Sequence, residues 1–314
     1  LIMTNIQPPR VSIGLPVYNG ENYIREAIDS ILSQTFKDFE LIISDNASTD
    51  ETEKICREYA NRDQRIKYYR NQQNLGAAKN YNIVFELSTG EYFKWVAHDD
   101  FCAPEFLEKC IKVLDSDSSI VLCYPRTKLI DEQGNVIEEF EFKRKADSSS
   151  ISKRFKSLMW EDHCFQIFGL IRSSSLQKTR LIEPYAHGDG VLLCRLGFLG
   201  RFYEVPEYLF FNREHAEMSM QISYTRYDLY TAWFDPNQTG KIVLPRWRIF
   251  RGYYQALQET EFSWQQKCLC YLYLLRWFVG NRVFLVTELF RWIKKSFEDP
   301  FRMRSSNGNT SSDW

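Results

Sequence analysis

Within its first ~130 residues the chain alternates five apolar runs with amphipathic helices, and few folds accept that order. Val11 to Val17 is a short apolar run ending in Pro-Val-Tyr-Asn, which predicts a buried strand and a loop. From Glu21 to Gln34, Tyr23, Ile24, Ala27, Ile28, Ile31 and Leu32 share one helical face. Phe39 to Ser44 reads as a second strand. It runs into Asp45-Asn46-Ala47-Ser48-Thr49-Asp50, a cluster of turn and cap formers, and a helix to about Asn61 capped by Ser48 or Asp50. Ile66 to Arg70 is a third strand, Asn74-Leu75-Gly76 a turn and Ala77 to Leu87 a helix. Tyr92 to Ala97 is a fourth strand ending directly at His98-Asp99-Asp100, and Pro104 falls in the first turn of the next helix. Ile120 to Ile130 is a fifth strand, with Val136 to Phe142 pairing back across Asp131 to Asn135 as a hairpin. The expectation is an α/β fold with a mostly parallel sheet covered by helices on both faces.

The rest of the chain is less regular. Lys143 to Ser152 reads as a polar loop, and Cys164 to Ile171, Arg201 to Val205 and Tyr208 to Arg213 as strands. Asp189 to Leu199 has helical spacing. From about Tyr224 the pattern is helical and aromatic, and Ser305 to Trp314 reads as a frayed tail. A net charge of −1 gives no reason to expect nucleic acid as a partner. Eight scattered cysteines without a CxxC pair read as reduced thiols in a cytosolic protein. Leu1 to Arg10 lacks the pattern of a signal peptide. The strongest apolar run, Cys268 to Phe290, is interrupted by Arg276, Asn281, Arg282 and Glu288, so amphipathic helices are expected there and not a spanning one.

In parallel sheets of this kind ligands bind beyond the carboxyl ends of the strands. Asn19, Asp45 and the pair Asp99-Asp100 all fall at such ends. Two carboxylates at a strand end can hold magnesium or manganese together with substrate phosphates, and the metal would neutralise charge on a departing diphosphate. Each feature also has a plainer reading. Asp99-Asp100 can cap the helix before Pro104, Asp45 can serve the turn, and Asn74 can begin an ordinary helix. The GxGxxG and GxxxxGK[ST] fingerprints are both absent. Pro16 to Gly20 lacks the Gly-rich basic loop that a nucleotidyltransferase would want.

Taken together, Val11 to Asn19, Ser30 to Phe36, Glu40 to Asp50, Asn74-Leu75-Gly76 with Asn82, and His98-Asp99-Asp100 with Pro104 and Leu107 resemble the family 2 glycosyltransferases of the GT-A fold. The resemblance is strong from about residue 11 to 130 and weaker to about 220. It implies that Pro16, Val17, Tyr18 and Asn19 line the nucleotide base, largely through backbone groups. It further implies that Asp45 accepts a hydrogen bond from the base, that Asn74 and Gly76 belong to the donor site, that Asp99 faces the ribose or sugar, and that Asp100 is the metal ligand. Two positions depart from the pattern. Ala97 stands where relatives often carry a carboxylate, and Tyr81 where a basic residue is usual, so Lys79 is the candidate for the phosphate contact.

On the same resemblance Asp189, between two glycines, is the candidate base that takes the acceptor proton, with Glu161 and Asp162 as rivals and helix capping as its plain alternative. Arg213-Glu214-His215 with Ser219 resembles a loop that covers the donor, and His215 could complete the metal site. The implied activity is an inverting, metal-dependent transfer from a nucleotide sugar, UDP- or dTDP-linked, to a glycan or lipid-linked acceptor hydroxyl. The alternative is a non-catalytic sugar-nucleotide or glycan-binding module of the same fold. The expected organisation is a catalytic domain over residues 1–220, a helical region over 221–300 and a tail over 301–314. Within the catalytic domain, 11–130 would hold the donor and 131–220 the acceptor. The basic-aromatic C-terminal helices suit a membrane surface at the cytoplasmic face, a homodimer, or packing on the catalytic domain.

Overall fold

The computed structural model describes residues 7–161, 163–216, 227–239, 241 and 243–298. Asp162, Ser219 and the tail at 301–314 therefore lie outside the described residues, as do residues 1–6 of the leader reading. The strands are β1 (Val11–Val17), β2 (Phe39–Asp45), β3 (Ile66–Arg70), β4 (Tyr92–Trp95), β5 (Phe101–Cys102), β6 (Ile120–Ile130), β7 (Val136–Phe140), β8 (Leu170–Arg172) and β9 (Arg201–Arg213). They form one sheet in the order β3-β2-β1-β4-β8-β6-β9-β5, with β7 pairing with β6.

The first four strands run parallel, with Val11 opposite Phe39 and Tyr92, and Leu41 opposite Ile66. Every residue of β1 and β2 is buried, as a sheet covered on both faces requires. The covering helices are α1 (Ile24–Leu32), α2 (Thr52–Arg62), α3 (Ala77–Glu86) and α4 (Phe106–Ser116). Their buried faces follow helical spacing, as in Ile24, Ala27, Ile28 and Ile31 of α1. Beyond β4 the sheet becomes mixed. β8 is antiparallel to both β4 and β6, and the long β9 runs parallel to β6. Parallel ladders account for most of the pairing, so the expected mixed α/β fold with a mostly parallel sheet is the one observed.

Three expectations need correction. Of the strand expected at Cys164 to Ile171 only Leu170 and Ile171 pair. Phe165–Phe168 is a 3-10 turn, in which Ile167 N donates to the Cys164 carbonyl (2.9 Å) and Gly169 N to that of Gln166 (2.9 Å), so these groups are spent locally and not on a ladder. The two strands expected at 201–205 and 208–213 are one, and the ladder steps from Val205 to Tyr208 across Pro206. The polar loop at 143–152 gives way to a helix that the sequence reading missed, α5 (Ile151–Met159). Its Phe155 and Leu158 are buried, and the Arg154 guanidinium donates to the carbonyls of Gly197 (2.6 Å), Ser148 (2.7 Å) and Ser149 (3.0 Å).

The remaining helices are α6 (Ser173–Leu176), α7 (Gly188–Leu199), α8 (Tyr227–Phe234), α9 (Pro245–Glu259), α10 (Trp264–Gly280) and α11 (Arg282–Glu298). α9 lies on α7, where a Cβ at Gly252 would come within 2.4 Å of the Tyr185 hydroxyl. α10 lies on α5. The C-terminal helices thus buttress the half of the sheet that follows β6.

At the amino ends of the central strands, Glu40 is buried and accepts from Ser12 Oγ (2.5 Å), Thr89 N (3.1 Å), Thr89 Oγ1 (2.9 Å) and Lys67 Nζ (2.5 Å). Burial pushes its pKa up, but the Lys67, Ser12 and Thr89 bonds outweigh it and hold the value below 4.5. A depressed carboxylate contributes stability that is complete above the unfolded pKa and lost as pH falls through the folded one. Glu40→Gln should therefore cost about 2 kcal/mol at pH 7. Its melting temperature should converge on that of the parent as pH drops below 4.5; thermal melts across pH check this.

Candidate active site

The loops after β1, β2 and β3 are bonded into one surface. Asn19 adopts a left-handed φ of 51°. Its N–H donates to Ser48 Oγ (2.9 Å) and its Oδ1 accepts from Thr49 N (2.9 Å). Asn46 donates to Asn74 Oδ1 (2.9 Å) and accepts from Leu75 N (2.9 Å), while Asn74 Oδ1 also accepts from Gly76 N (2.9 Å). Gly76 has φ 84°, and a Cβ there would lie 2.5 Å from the Phe234 carbonyl. Only glycine fits that turn. Asn74 and Gly76 thus shape the loop after β3, Asn74 through its hydrogen bonds and Gly76 through its backbone geometry.

Asp45 is wholly buried. Its Oδ1 accepts from Ser48 N (2.8 Å) and its Oδ2 from the Tyr68 hydroxyl (2.7 Å). Both oxygens serve the loop's own hydrogen bonds. Pro16 and Val17 lie inside β1 and are buried, whereas Tyr18 is 44% exposed and offers its ring at the strand end. Lys79 is exposed on α3.

The acidic segment meets β9. Asp100 Oδ1 accepts from Arg213 N (2.9 Å) and Asn212 Nδ2 (3.0 Å), and its Oδ2 lies 3.2 Å from the same amide. The residue is 2% exposed. Asp99 is more open, and its Oδ2 lies 3.0 Å from His215 Nε2. The sequence reading gave the metal to Asp100 with His215. The structure instead turns Asp100 into β9 and sets His215 against Asp99.

Arg213, expected at a strand end and in a segment resembling a donor-covering loop, is a buried clamp. Its Nε donates to the Asp99 carbonyl (3.0 Å), one amine donates to the carbonyls of Asp131 (3.2 Å) and Glu132 (2.9 Å), and the other pairs with Glu26. Its guanidinium also lies 4.7 Å from the Tyr23 ring.

Burial first, and the charge of Asp99 second, push the Asp100 carboxyl well above its ordinary range, against the pull of the Arg213 N–H, Asn212 and Lys94. Burial also opposes ionisation of Asp99, but His98 and His215 more than offset it and hold Asp99 low. Lys94, fully buried in β4, is the cation behind Asp100, and burial lowers its pKa. The sequence reading missed it, although a lone lysine in Tyr-Phe-Lys-Trp is a visible anomaly.

Asp189 opens α7, one residue past Gly188, and its Oδ1 accepts from Gly190 N (2.8 Å). The cap position itself is His187, at φ 67°, with no side-chain capping bond, and the Asp189 carboxylate serves a free N–H of the first turn. The segment before it is tied to the donor half, because Asn82 Nδ2 donates to Ile182 O (2.9 Å) and Asn82 Oδ1 accepts from Ile182 N (3.1 Å). Tyr81, at the position where a basic residue was expected, has its phenol pKa raised by burial and then by the charges of Asp99, Asp100 and Asp189. All three carboxylates therefore lie within electrostatic reach of one phenol.

Cys164, His187 and Asp189 form a second cluster, with ligand atoms within 4.8 Å of one another. His187 Nε2 lies 3.0 Å from the buried Tyr253 hydroxyl of α9. Spacing alone could not reveal Cys164 and Tyr253, which come from distant segments. Two clefts of about 370 and 490 Å³ lie elsewhere on the surface, and neither is lined by these carboxylates.

The family model described as Glycosyl transferase family 2 matches residues 12–180. An uncharacterised glycosyltransferase of Rickettsia typhi is 42% identical over 132 residues, which is 42% of this chain and 40% of that protein, so the match spans less than half of the relative's length. Among solved structures, Staphylococcus aureus TarS residues 1–349 with UDP-GlcNAc superposes with a TM-score of 0.66 at 17% identity, covering 91% of this chain and 81% of that one. The mannosyltransferase PcManGT of Pyrobaculum calidifontis, with GDP-Man and Mn2+, superposes at 0.54 and 15% identity, covering 96% and 84%. At such identity these structures establish the GT-A fold.

An acid whose folded pKa is raised costs stability as pH rises from the unfolded value towards the folded one, so Asp100 destabilises the folded chain above its ordinary range. Asp100→Asn should therefore raise the melting temperature at pH 7.5, by about 2–4 °C for about 1 kcal/mol. The gain should vanish below pH 3.8, the ordinary value. Differential scanning fluorimetry across pH checks both statements.

Proposed function

The chain belongs to glycosyl transferase family 2, and on that premise we propose that it transfers a sugar from a nucleoside diphosphate to an acceptor hydroxyl with inversion at the anomeric carbon. The observation that supports the reading is the placing of Asp99, beside His215, at the end of β4, next to the bonded loops at the ends of β1 and β2. In this reading residues up to about 220 form the catalytic unit, donor half first, and the C-terminal helices support the acceptor half.

The donor's base rests on Tyr18 and the backbone around Asn19, with Asp45 holding that loop in shape. Lys79, exposed on α3, is the cation available to the diphosphate. For a divalent metal, a carboxylate beside an imidazole, with diphosphate oxygens and water to complete the shell, suits manganese or magnesium. Asp99 and His215 would hold it, and Asp100 would fix the segment from behind. When bound, the ion neutralises charge growing on the diphosphate as its bond to the anomeric carbon breaks. Asp189 accepts the proton as the acceptor oxygen forms its new bond to that carbon. An intact carboxylate there argues against a module that binds the donor without turning it over. A uridine or thymidine diphosphate sugar is the expected donor, and a glycan or lipid-linked hydroxyl the expected acceptor.

Two substitutions separate the roles. Asp189→Asn should leave donor affinity within about twofold while turnover falls by about 10²–10⁴; unchanged turnover would remove Asp189 as the base. Asp99→Asn should abolish the manganese-dependent part of donor binding in titration calorimetry. If that part survives, Asp99 is not the ligand.

A further inference from the structure

Among the described residues no single helix is long and apolar enough to cross a membrane. α10 and α11 nevertheless present a continuous apolar surface to solvent. Along α10 the exposed residues include Leu269, Leu272, Leu275 and Val279. Along α11 Val283, Val286, Phe290, Ile293 and Phe297 recur at alternating spacings of three and four, and Phe290 is 68% and Phe297 82% exposed. A stripe of this size on a water-facing surface marks an interaction site.

The opposite sides of the same helices are fastened to the protein. Cys270, Leu274 and Trp277 are buried. Trp247 Nε1 donates to Leu285 O (3.1 Å), and Arg246 N donates to Glu288 Oε1 (3.1 Å). The two helices meet at a bend of 63° at Asn281, whose Nδ2 donates to Trp277 O (2.9 Å) and whose Oδ1 accepts from Arg246. A pair bent and tethered along one side can offer only its outer face.

Charge decides what that face meets. Residues 264–298 carry Lys267, Arg276, Arg282, Arg291, Lys294 and Lys295, six cations against the terminal Glu298 and one inner carboxylate, Glu288. That carboxylate turns inward to the Arg246 N–H. Arg276, Arg282, Arg291 and Lys294 are exposed beside the apolar stripe. Two copies joined along the stripe would bring one excess of positive charge against another. Anionic headgroups would instead neutralise these side chains while the rings and branched chains enter the acyl boundary.

We propose that the outer face of α10 and α11 docks on an anionic lipid surface, lying in the interface without spanning it. The proposal extends the transferase reading by placing the acceptor at a membrane, and vesicle binding tests it without any turnover.

The experiment is flotation of the purified chain with vesicles of phosphatidylcholine alone and of phosphatidylcholine mixed with phosphatidylglycerol. Binding to the mixed vesicles is expected, weakening with salt. Val283→Ser with Phe290→Ser should lower the partition coefficient by at least about tenfold. Arg282→Gln, Arg291→Gln and Lys294→Gln together should lower it by roughly fivefold per charge removed. All five side chains are exposed, so unchanged melting curves are expected and certify the variants. Three results would overturn the proposal: no binding to either vesicle, binding indifferent to phosphatidylglycerol and to the charge variant, or a dimer in light scattering that the double serine variant dissolves, which would assign the face to a second copy.

Discussion

Arg213 is the side chain on which the arrangement of the site depends. Its backbone N–H holds Asp100, its guanidinium holds the carbonyls of Asp99, Asp131 and Glu132, and it pairs with Glu26 on α1. It is itself 2% exposed. A buried guanidinium is tolerated only when its donors are satisfied. Here the acceptors that satisfy it are the backbone of the acidic segment, the β6–β7 turn and a carboxylate of the first helix. One residue of the last strand therefore fixes the ends of elements from both halves of the sheet.

That fixing has an electrostatic consequence. Two adjacent carboxylates leave the end of β4, one enclosed and one open. Enclosure raises Asp100 and leaves it dependent on Arg213, Asn212 and Lys94, while the histidines keep Asp99 ionised. Neighbouring groups with opposed shifts mark places where a structure gives up stability for chemistry. Asp189 reaches the same region by a separate route. Asn82, on the donor-side α3, grips Ile182 a few residues before it, and α9 supports the segment from behind through Tyr253. The position of Asp189 thus depends on contacts from α3 and α9, distant in the chain.

The parallel half of the fold was legible because each buried strand and each amphipathic helix there follows its own period. Val11–Val17 and Ile24–Leu32 are examples. The second half was harder for local reasons. Phe165-Gln166-Ile167-Phe168 is apolar enough for a strand yet coils into a 3-10 turn, and the polar run at 143–152 hid the start of a helix held by Arg154. At the site, residue positions were readable and orientations were not. Asp99 and Asp100 are adjacent in sequence, so only the approach of β9 decides which of them is enclosed. Asp45 sits at the expected strand end, but Tyr68 and Ser48 already take its oxygens. Arg213 looked like part of a covering loop because nothing in Asn-Arg-Glu-His shows that its guanidinium turns inward.

The central claim is that the carboxylates beyond β4 receive the diphosphate end of a nucleotide sugar, with Asp99 as the metal-facing member. The most direct measurement is anomalous diffraction at the manganese edge from crystals grown with Mn2+ and a non-transferable uridine diphosphate sugar. The account predicts a manganese peak bonded to the Asp99 carboxylate and to the diphosphate, with Asp100 still bonded to Arg213 N. A peak confined to Cys164, His187 and Asp189, or a donor bound away from Asp99, would contradict it.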